Sequence, residues 1–497
     1  MIRLFVLPVF ACFIFSTNLS AQIQDSVQML MGVVLDSATN KPLAYANIYS
    51  VSKKKGVISN EDGRYSIDIS ELNNTDTLRF QYIGYKTRNL SLRQLSQNSK
   101  VLLTEKIVDL NEMVVFGSAP DARSIVEKVL EHKEENYKKT TSRRQTFVRQ
   151  KYINRVEDLS FEYKKNNIEG LNPALFKRVA NNYPKLTTSF SDYLIDIYTD
   201  KTLEDSVKID PIRFVVLKEK DIAEIDKFLE LFEKEFAKTN TEEYWRVKTG
   251  ILSEELNLGD TAQSAKDSSD AGKHKVKYTN RRVRHQLKYP TLDSDDSWEF
   301  LHKLRKYVYK MIGGTQVNGE DVYVIDFEPD NSGLYSGRLY ISTQTYALIR
   351  ADYQYAPGKD GLDFSLFGVS YAEKAFSGSV LFEKHEDNYE LKYYSLKKTN
   401  SLSFDRNVKL LKKRERFLFD KKQKELKVGL EFDFQQESSV EFLIINRQKI
   451  AQSDFKQFNQ PEYYQPIYVD QFDDQLWKGY SIIEPTKQMK EYRKRKN

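Results

Sequence analysis

The sequence predicts a mainly β protein with α+β elements: a small N-terminal β-sandwich, a helical connector and a larger antiparallel sheet domain. Three observations carry this expectation. Short alternating apolar and polar runs broken by turn residues fill Met31 to Leu92. Apolar positions at helical spacing occur between residues 118 and 256, and hairpin signals recur from Trp298 onwards. At 497 residues, 40% hydrophobic and 30% charged, the chain has room for several domains and the composition of a folded protein. Its net charge of +6 is small against 77 basic and 71 acidic residues. No basic recognition motif accompanies that charge, so no nucleic-acid partner is expected.

The first residues read as an export signal over 1–22. Met1-Ile2-Arg3 starts positive, Leu4 to Phe15 is apolar apart from Pro8, and Ser16 to Ala21 supplies small residues before a cut after Ala21 or Gln22. The apolar run is shorter than the roughly 20 residues a spanning helix needs. The only cysteine, Cys12, lies inside that run with Phe13-Ile14-Phe15 beyond it, so no lipid attachment is expected. Without it the mature chain has no disulfide, thiolate metal site or cysteine nucleophile.

Residues 28–117 form the expected sandwich. Gly32-Val33-Val34-Leu35-Asp36, Pro42-Leu43-Ala44-Tyr45-Ala46-Asn47-Ile48, Gly56 to Ile67 and Tyr82-Ile83-Gly84-Tyr85 are short strands and turns. Asn60-Glu61-Asp62-Gly63 makes a tight turn, because glycine tolerates positive φ and Asn or Asp bonds back to local backbone. This text resembles the carboxypeptidase-regulatory-like domain, whose strands carry G-x-V-x-D, P-L-x-x-A-x-I, G-x-x-S-x-x-D-G-x-Y-x-I and Y-x-G-Y. The resemblance implies a transthyretin-like sandwich with no chemistry of its own. Leu110-Asn111-Glu112-Met113-Val114-Val115-Phe116-Gly117 resembles the segment by which this module exits in outer-membrane proteins.

The connector spans 118–256. Ser118-Ala119-Pro120-Asp121 is a linker and helix start, and Ile125, Val126, Val129 and Leu130 form an apolar stripe. Ser124 to Val129, Glu135-Asn136-Tyr137 and the F-x-R of Phe147-Val148-Arg149 resemble a signature of larger envelope proteins of uncharacterised function. Asp221 to Lys238 is the strongest helix pattern, with Ile222, Ile225, Phe228, Leu229, Phe232 and Phe236 on one stripe. Residues 257–275 lose all periodicity and are expected as a flexible insertion.

Residues 276–483 predict a β-rich α+β domain. Tyr307 to Ile312 and Val322 to Phe327 flank Asn318-Gly319, a type I′ turn signal. Gly337 to Ser342 and Ala347 to Tyr353 make a second hairpin, and strands follow at Phe364 to Tyr371, Ser379 to Phe382, Tyr389 to Leu396 and Lys427 to Phe434. The two hairpins resemble the strands of lipoprotein-carrier-like domains, which implies a bent sheet with helices on its concave side. Charged stretches such as Lys412-Lys413-Arg414 and Lys421-Lys422 disfavour a membrane barrel, and they are expected as solvated faces, with contact to anionic lipid as the alternative. The text from Trp477 to Pro485 resembles a W-x-x-Y-x-I-I-E-P closing segment of the same envelope lineage; Trp477, Tyr480 and Ile482 are expected to dock the C-terminus on the sheet, with a partner-binding peptide as the alternative, and 484–497 is expected as a basic tail.

Chemistry is thin. His132 and Glu135 have the H-x-x-E spacing of a zinc pair, and His274 lies downstream as a third ligand. His132 sits at the polar end of a helix and His274 in the expected insertion, so no metal site is expected there. His285, His302 and His385 complete the histidines, and no nucleophile elbow, phosphate loop or H-E-x-x-H helix occurs. Asp295-Asp296 and Asp473-Asp474 are adjacent and would face opposite ways in a strand. Tyr393-Tyr394 and Tyr463-Tyr464 are expected to pack across strands. No catalytic residue, cofactor or metal is assigned. The expected function is an exported, non-catalytic envelope protein with a binding or assembly role, its partner an envelope protein or lipid. A periplasmic lipid or lipoprotein carrier is the alternative, and a hydrolase with an unrecognised site the third.

Overall fold

The computed structural model describes residues 28–53, 56–106, 121–202, 206–218, 230–231, 242–250, 252–256, 273–317, 320–416, 420–478, 480 and 482–492. The export signal, the exit strand at 110–117, the Asn318-Gly319 turn and nearly all of the helix at 221–238 lie outside these residues.

The sandwich is built from β1 (Met29–Asp36), β2 (Asn47–Ser50), β3 (Gly56–Ile58), β4 (Arg64–Asp68), β5 (Thr77–Gln81), β6 (Arg88–Ser91) and β7 (Lys100–Leu103), with α1 (Leu92–Gln97) closing one end. One sheet runs β4-β1-β7 and the other β3-β2-β5-β6. Alternate residues point inward, so Val34, Ile48, Val57, Tyr65, Ile67 and Phe80 form its core. Gly63 has φ +70, and a Cβ there would stand 2.5 Å from the Val34 carbonyl oxygen, so the turn requires glycine.

A second, larger sheet takes up most of the remaining chain. It comprises β8 (Ser142–Asn166), β9 (Leu186–Thr199), β10 (Val207–Lys218), β11 (Glu243–Thr249), β12 (Leu252–Leu256), β14 (Tyr307–Val317), β15 (Glu320–Pro329), β16 (Tyr335–Ser342), β17 (Leu348–Tyr355), β18 (Asp363–Leu366), β19 (Val369–His385), β20 (Asn388–Arg414), β21 (Lys421–Lys449) and β23 (Ile467–Val469). The order is β14-β15-β16-β17-β19-β20-β21-β8-β9-β10-β23, with β11, β12 and β18 attached beside it. The sheet is bent and its pairs are antiparallel except β10 with β23. Its end strands β14 and β23 are not paired with each other among the described residues, so these strands form an open sheet.

Both faces of this sheet are covered over part of its extent. On one lie α2 (Ala122–Glu131), α4 (Val276–Lys288) and α5 (Glu299–His302), whose Val126, Val129, Val283 and Phe300 meet Val324, Leu339, Val380 and Phe442. Each such buried side chain contributes about 1.5–3 kcal/mol. The other face carries Phe147, Phe190, Leu194, Tyr393 and Leu443 against Ile58 of the sandwich and Trp477, Ile483 and Met489 of the C-terminal segment. Tyr393 and Tyr394 alternate between these two cores, as cross-strand packing requires. At the far end of the long strands α3 (Pro173–Asn182) sets Leu175, Phe176 and Val179 on Leu426 and Val428.

Four expectations need correction. Residues 118–256 are not a helical connector: β8 to β12 lie there and belong to the large sheet. The strand signal was hidden because Thr146 to Gln150 are all buried, packed on both faces, which erases the period-2 alternation. The large sheet accordingly begins at Ser142 and not at 276, where α4 starts. His274–Lys275 are no part of a loose insertion; as β13 they pair with β22 (Tyr463–Tyr464). Residues 484–492 are no free tail: Glu484 and Thr486 are buried, and α6 (Lys487–Glu491) docks Met489 in the core. The separate strands expected at 379–382, 389–396 and 427–434 are parts of the longer β19, β20 and β21.

Candidate functional site

Three pieces of the chain that the sequence marked out meet at one point. The turn of the sandwich supplies Asn60, whose side-chain oxygen accepts from the Asp62 and Arg64 amides at 2.9 Å each. Its Nδ2 donates out of the module, to the carbonyls of Glu484 at 3.0 Å and Pro485 at 3.2 Å. The F-x-R strand supplies Phe147 and Arg149 on one face of β8. Phe147 meets Trp477 edge-on at 5.4 Å, and Arg149 donates to the Glu484 carbonyl at 3.0 Å. The closing segment is therefore held from both sides.

Arg149 is 3% exposed and Asp192 of β9 is 1% exposed. They form a bidentate pair, with Nε to Oδ1 at 2.9 Å and a second nitrogen to Oδ2 at 2.7 Å. Burial opposes the guanidinium charge, but Asp192 outweighs it and holds the Arg149 pKa above its ordinary value. Around this pair stand Glu61, which takes Lys151 at 3.6 Å and also Lys397, and Glu441 of β21, which accepts from the Tyr393 hydroxyl at 3.4 Å. Burial pushes the Glu441 carboxyl up to about 7, against the pull of Arg149. The space left among Glu61, Arg149, Lys397, Ser439 and Glu441 is about 10 Å³, room for a water and no more. Tyr45 has φ +68, which is strained for a bulky residue, and its ring is tilted against Tyr393 at a centroid distance of 4.6 Å.

A second cleft of about 50 Å³ opens between the same two modules. Tyr82, Tyr85 and Gln81 of the sandwich face Arg350, Glu383 and Lys392 of the large sheet across it. Arg350 is buried, donates to both oxygens of Asp352 at 2.7 and 3.0 Å and to the Tyr82 hydroxyl at 3.0 Å, and lies 4.6 Å from the Tyr82 ring centroid.

The residues weighed as a zinc set are engaged elsewhere. His132 caps α2, with Nδ1 3.0 Å from the Lys128 carbonyl and its ring against Tyr346. Glu135 is exposed on the following turn. His274 contacts the Tyr468 hydroxyl at 2.9 Å and the Tyr464 ring. Among the described residues no three His, Cys, Asp or Glu side chains gather to hold a metal ion. Sequence reasoning missed Arg149, Asp192 and Glu441 as partners, since 43 residues separate the first two. A charge inside an apolar strand stretch, Phe147-Val148-Arg149, was the one available signal.

Residues 30–115 match the family model of the CarboxypepD_reg-like domain. The resemblance read from Gly32 to Tyr85 is thereby shown for this part of the chain. No curated protein matches the chain at a significant level. Solved structures similar to it include a LolA superfamily protein from Nitrosomonas europaea, at 8% identity over 69% of this chain and 99% of that one, TM-score 0.18. An outer membrane lipoprotein-sorting protein domain from Vibrio parahaemolyticus has 9% identity over 67% and 97%, TM-score 0.20. A DUF1329 family protein from Desulfovibrio piger has 9% identity over 68% and 98%, TM-score 0.18. At such TM-scores the likeness carries no argument. The architecture beyond the CarboxypepD_reg-like domain rests on its own strand order and register. Among the described residues no helix is long and apolar enough to cross a membrane.

Proposed function

We propose that the chain is a non-catalytic binding or assembly protein of the cell envelope, in which the CarboxypepD_reg-like domain is locked onto the large sheet. The junction carries this reading. Its charged groups pair with one another, its backbone contacts tie three distant segments together, and the space among Glu61, Arg149 and Glu441 admits about one water. A site of that kind joins modules and leaves no open position for a reacting group. Partners would then meet the outer surfaces of a preassembled body. Cross-linking in intact cells followed by mass spectrometry tests this: recurrent envelope partners on a chain whose N-terminus lies near Gln22 are expected. A cytosolic chain with residues 1–22 retained would overturn the location, and a mature N-terminus at an acylated Cys12 would overturn the lipid-free form.

One observation favours a carrier as the second reading. On a single face of the long strands Leu402 pairs with Phe434, Phe404 with Phe432, and Phe432 with Leu159, all half-buried. An acyl chain would lie along this open strip, since Trp298, Phe300, Phe327 and Tyr353 already fill the core under the helices. Organic extraction of the purified protein separates the readings. Lipid recovered from the native chain and lost in Phe404→Asp favours the carrier, and its absence favours binding or assembly.

A further inference from the structure

The basic runs Lys412-Lys413-Arg414 and Lys421-Lys422 lie together at the far end of the β20–β21 hairpin, where Arg414 pairs with Lys421. Residues 406–427 hold ten Lys and Arg against three acids, a net charge of +7 where the whole chain has +6. Local carboxylates meet several of these cations. Asp420 is 3.6 Å from Lys413, Glu425 takes Lys422 at 2.7 Å and Lys165 at 3.0 Å, and Glu243 of β11 takes Lys412 at 2.8 Å and Arg414 at 3.0 Å. Arg416, Lys421 and Lys422 are exposed.

Beside the start of this stretch stands a hairpin of the opposite character. Leu362, Phe364, Leu366 and Phe367 are 59%, 44%, 60% and 66% exposed. From Phe364 to Ala372 nine consecutive residues carry no charge, in a chain that is 30% charged. Phe367 has φ +49, so an aromatic residue occupies a left-handed turn position that favours glycine or asparagine, and its side chain still points to solvent. At its base Lys374 pairs with Asp360 at 2.9 Å and Asp363 at 3.2 Å, and the Tyr355 and Tyr371 hydroxyls donate to Glu373 at 3.1 and 3.3 Å. The apolar turn therefore has a collar of tyrosines and ion pairs. Its neighbour is the cationic stretch: Val369 pairs with Phe404, and the Asp405 amide donates to the Gly368 carbonyl at 2.8 Å.

We propose that this end of the large sheet docks on an anionic lipid bilayer, with the apolar turn 362–369 entering the headgroup layer and the strand ends 406–416 and 420–427 lying against the lipid phosphates. The two chemistries side by side select this occupant. Peripheral anchoring needs both an apolar insertion and a polybasic patch, because either alone binds marginally. The cations recur from Arg406 to Arg414, with Lys412 buried against Glu243, over about eight strand residues or roughly 25 Å at 3.3 Å each, which fits a charged surface rather than one phosphate. The inference goes beyond the binding reading above and does not depend on it.

The test is co-sedimentation of the full mature chain with vesicles of phosphatidylcholine alone or with 30% phosphatidylglycerol. Binding to the anionic vesicles only, weakened by salt, is expected. At about fivefold per cation, Arg416→Gln with Lys421→Gln and Lys422→Gln should weaken it by about 100-fold. Leu366→Ser with Phe367→Ser should weaken it by about tenfold or more while leaving its salt dependence intact. These side chains are exposed, so an unchanged thermal transition shows that both variants are folded. Equal binding to both vesicle types, no binding, unaltered binding by either variant, or retention on heparin without vesicle binding would each overturn the proposal.

Discussion

Replacing Arg149 by leucine isolates the energetic role of the junction. The substitution leaves Asp192, 1% exposed, as a buried carboxylate stripped of its bidentate partner. It also removes one of the bonds to the Glu484 carbonyl, leaving Asn60 as that oxygen's donor at 3.0 Å. Breaking a buried pair by removing one member costs about 3–5 kcal/mol, more than the pair itself contributes, because the surviving charge is uncompensated. The double variant Arg149→Leu with Asp192→Leu removes both charges and should recover most of that loss. Urea unfolding followed by tryptophan fluorescence is a suitable assay, since Trp477 packs on Phe147 two residues from Arg149. Limited proteolysis should show earlier cleavage within 484–492 in the single variant. A single-variant loss below about 1 kcal/mol, or a double variant no better than the single one, would refute the assignment of Asp192 as a charge that Arg149 compensates.

Other outcomes follow from the same geometry. Glu441 has a folded pKa of about 7, raised from 4.5 by burial, so its contribution to stability is fully present below pH 4.5 and is lost as pH rises through 7. Glu441→Gln should therefore stabilise the chain at pH 8, by as much as roughly 3 kcal/mol read from urea unfolding, and change little at pH 4.5; equal stabilities at pH 8 would count against it. Gly63→Val places a β-branched residue at φ +70 against the Val34 carbonyl and should destabilise the sandwich by about 2 kcal/mol or more, read from the thermal transition of fragment 28–117. Trp477→Ala empties a buried aromatic site and should cost about 3–5 kcal/mol while freeing the closing segment to protease. Metal analysis of the purified chain and of His132→Ala should show no stoichiometric zinc in either, and zinc lost on substitution would revive a hydrolase.

What the sequence determined by itself was local. The sandwich strands and the Asn60-Glu61-Asp62-Gly63 turn are legible because period-2 alternation and a glycine at positive φ are properties of neighbouring residues. The hairpin at 335–355 and the apolar stripe of α2 are legible for the same reason, and so is the docking of Trp477, which had no other apolar use for so large a side chain. The tertiary structure decided what those pieces face. β8 gave no strand pattern over Thr146 to Gln150 because both faces are buried there, which turned the core of the large sheet into an apparent connector. Glu484 read as the start of a tail, yet its backbone joins the sandwich turn to the F-x-R strand. Arg149, Asp192 and Glu441 stand on three strands of one sheet face, and their shared burial sets their charges. Burial and charge pairing are sums over residues distant in sequence, so only the folded chain fixes their values.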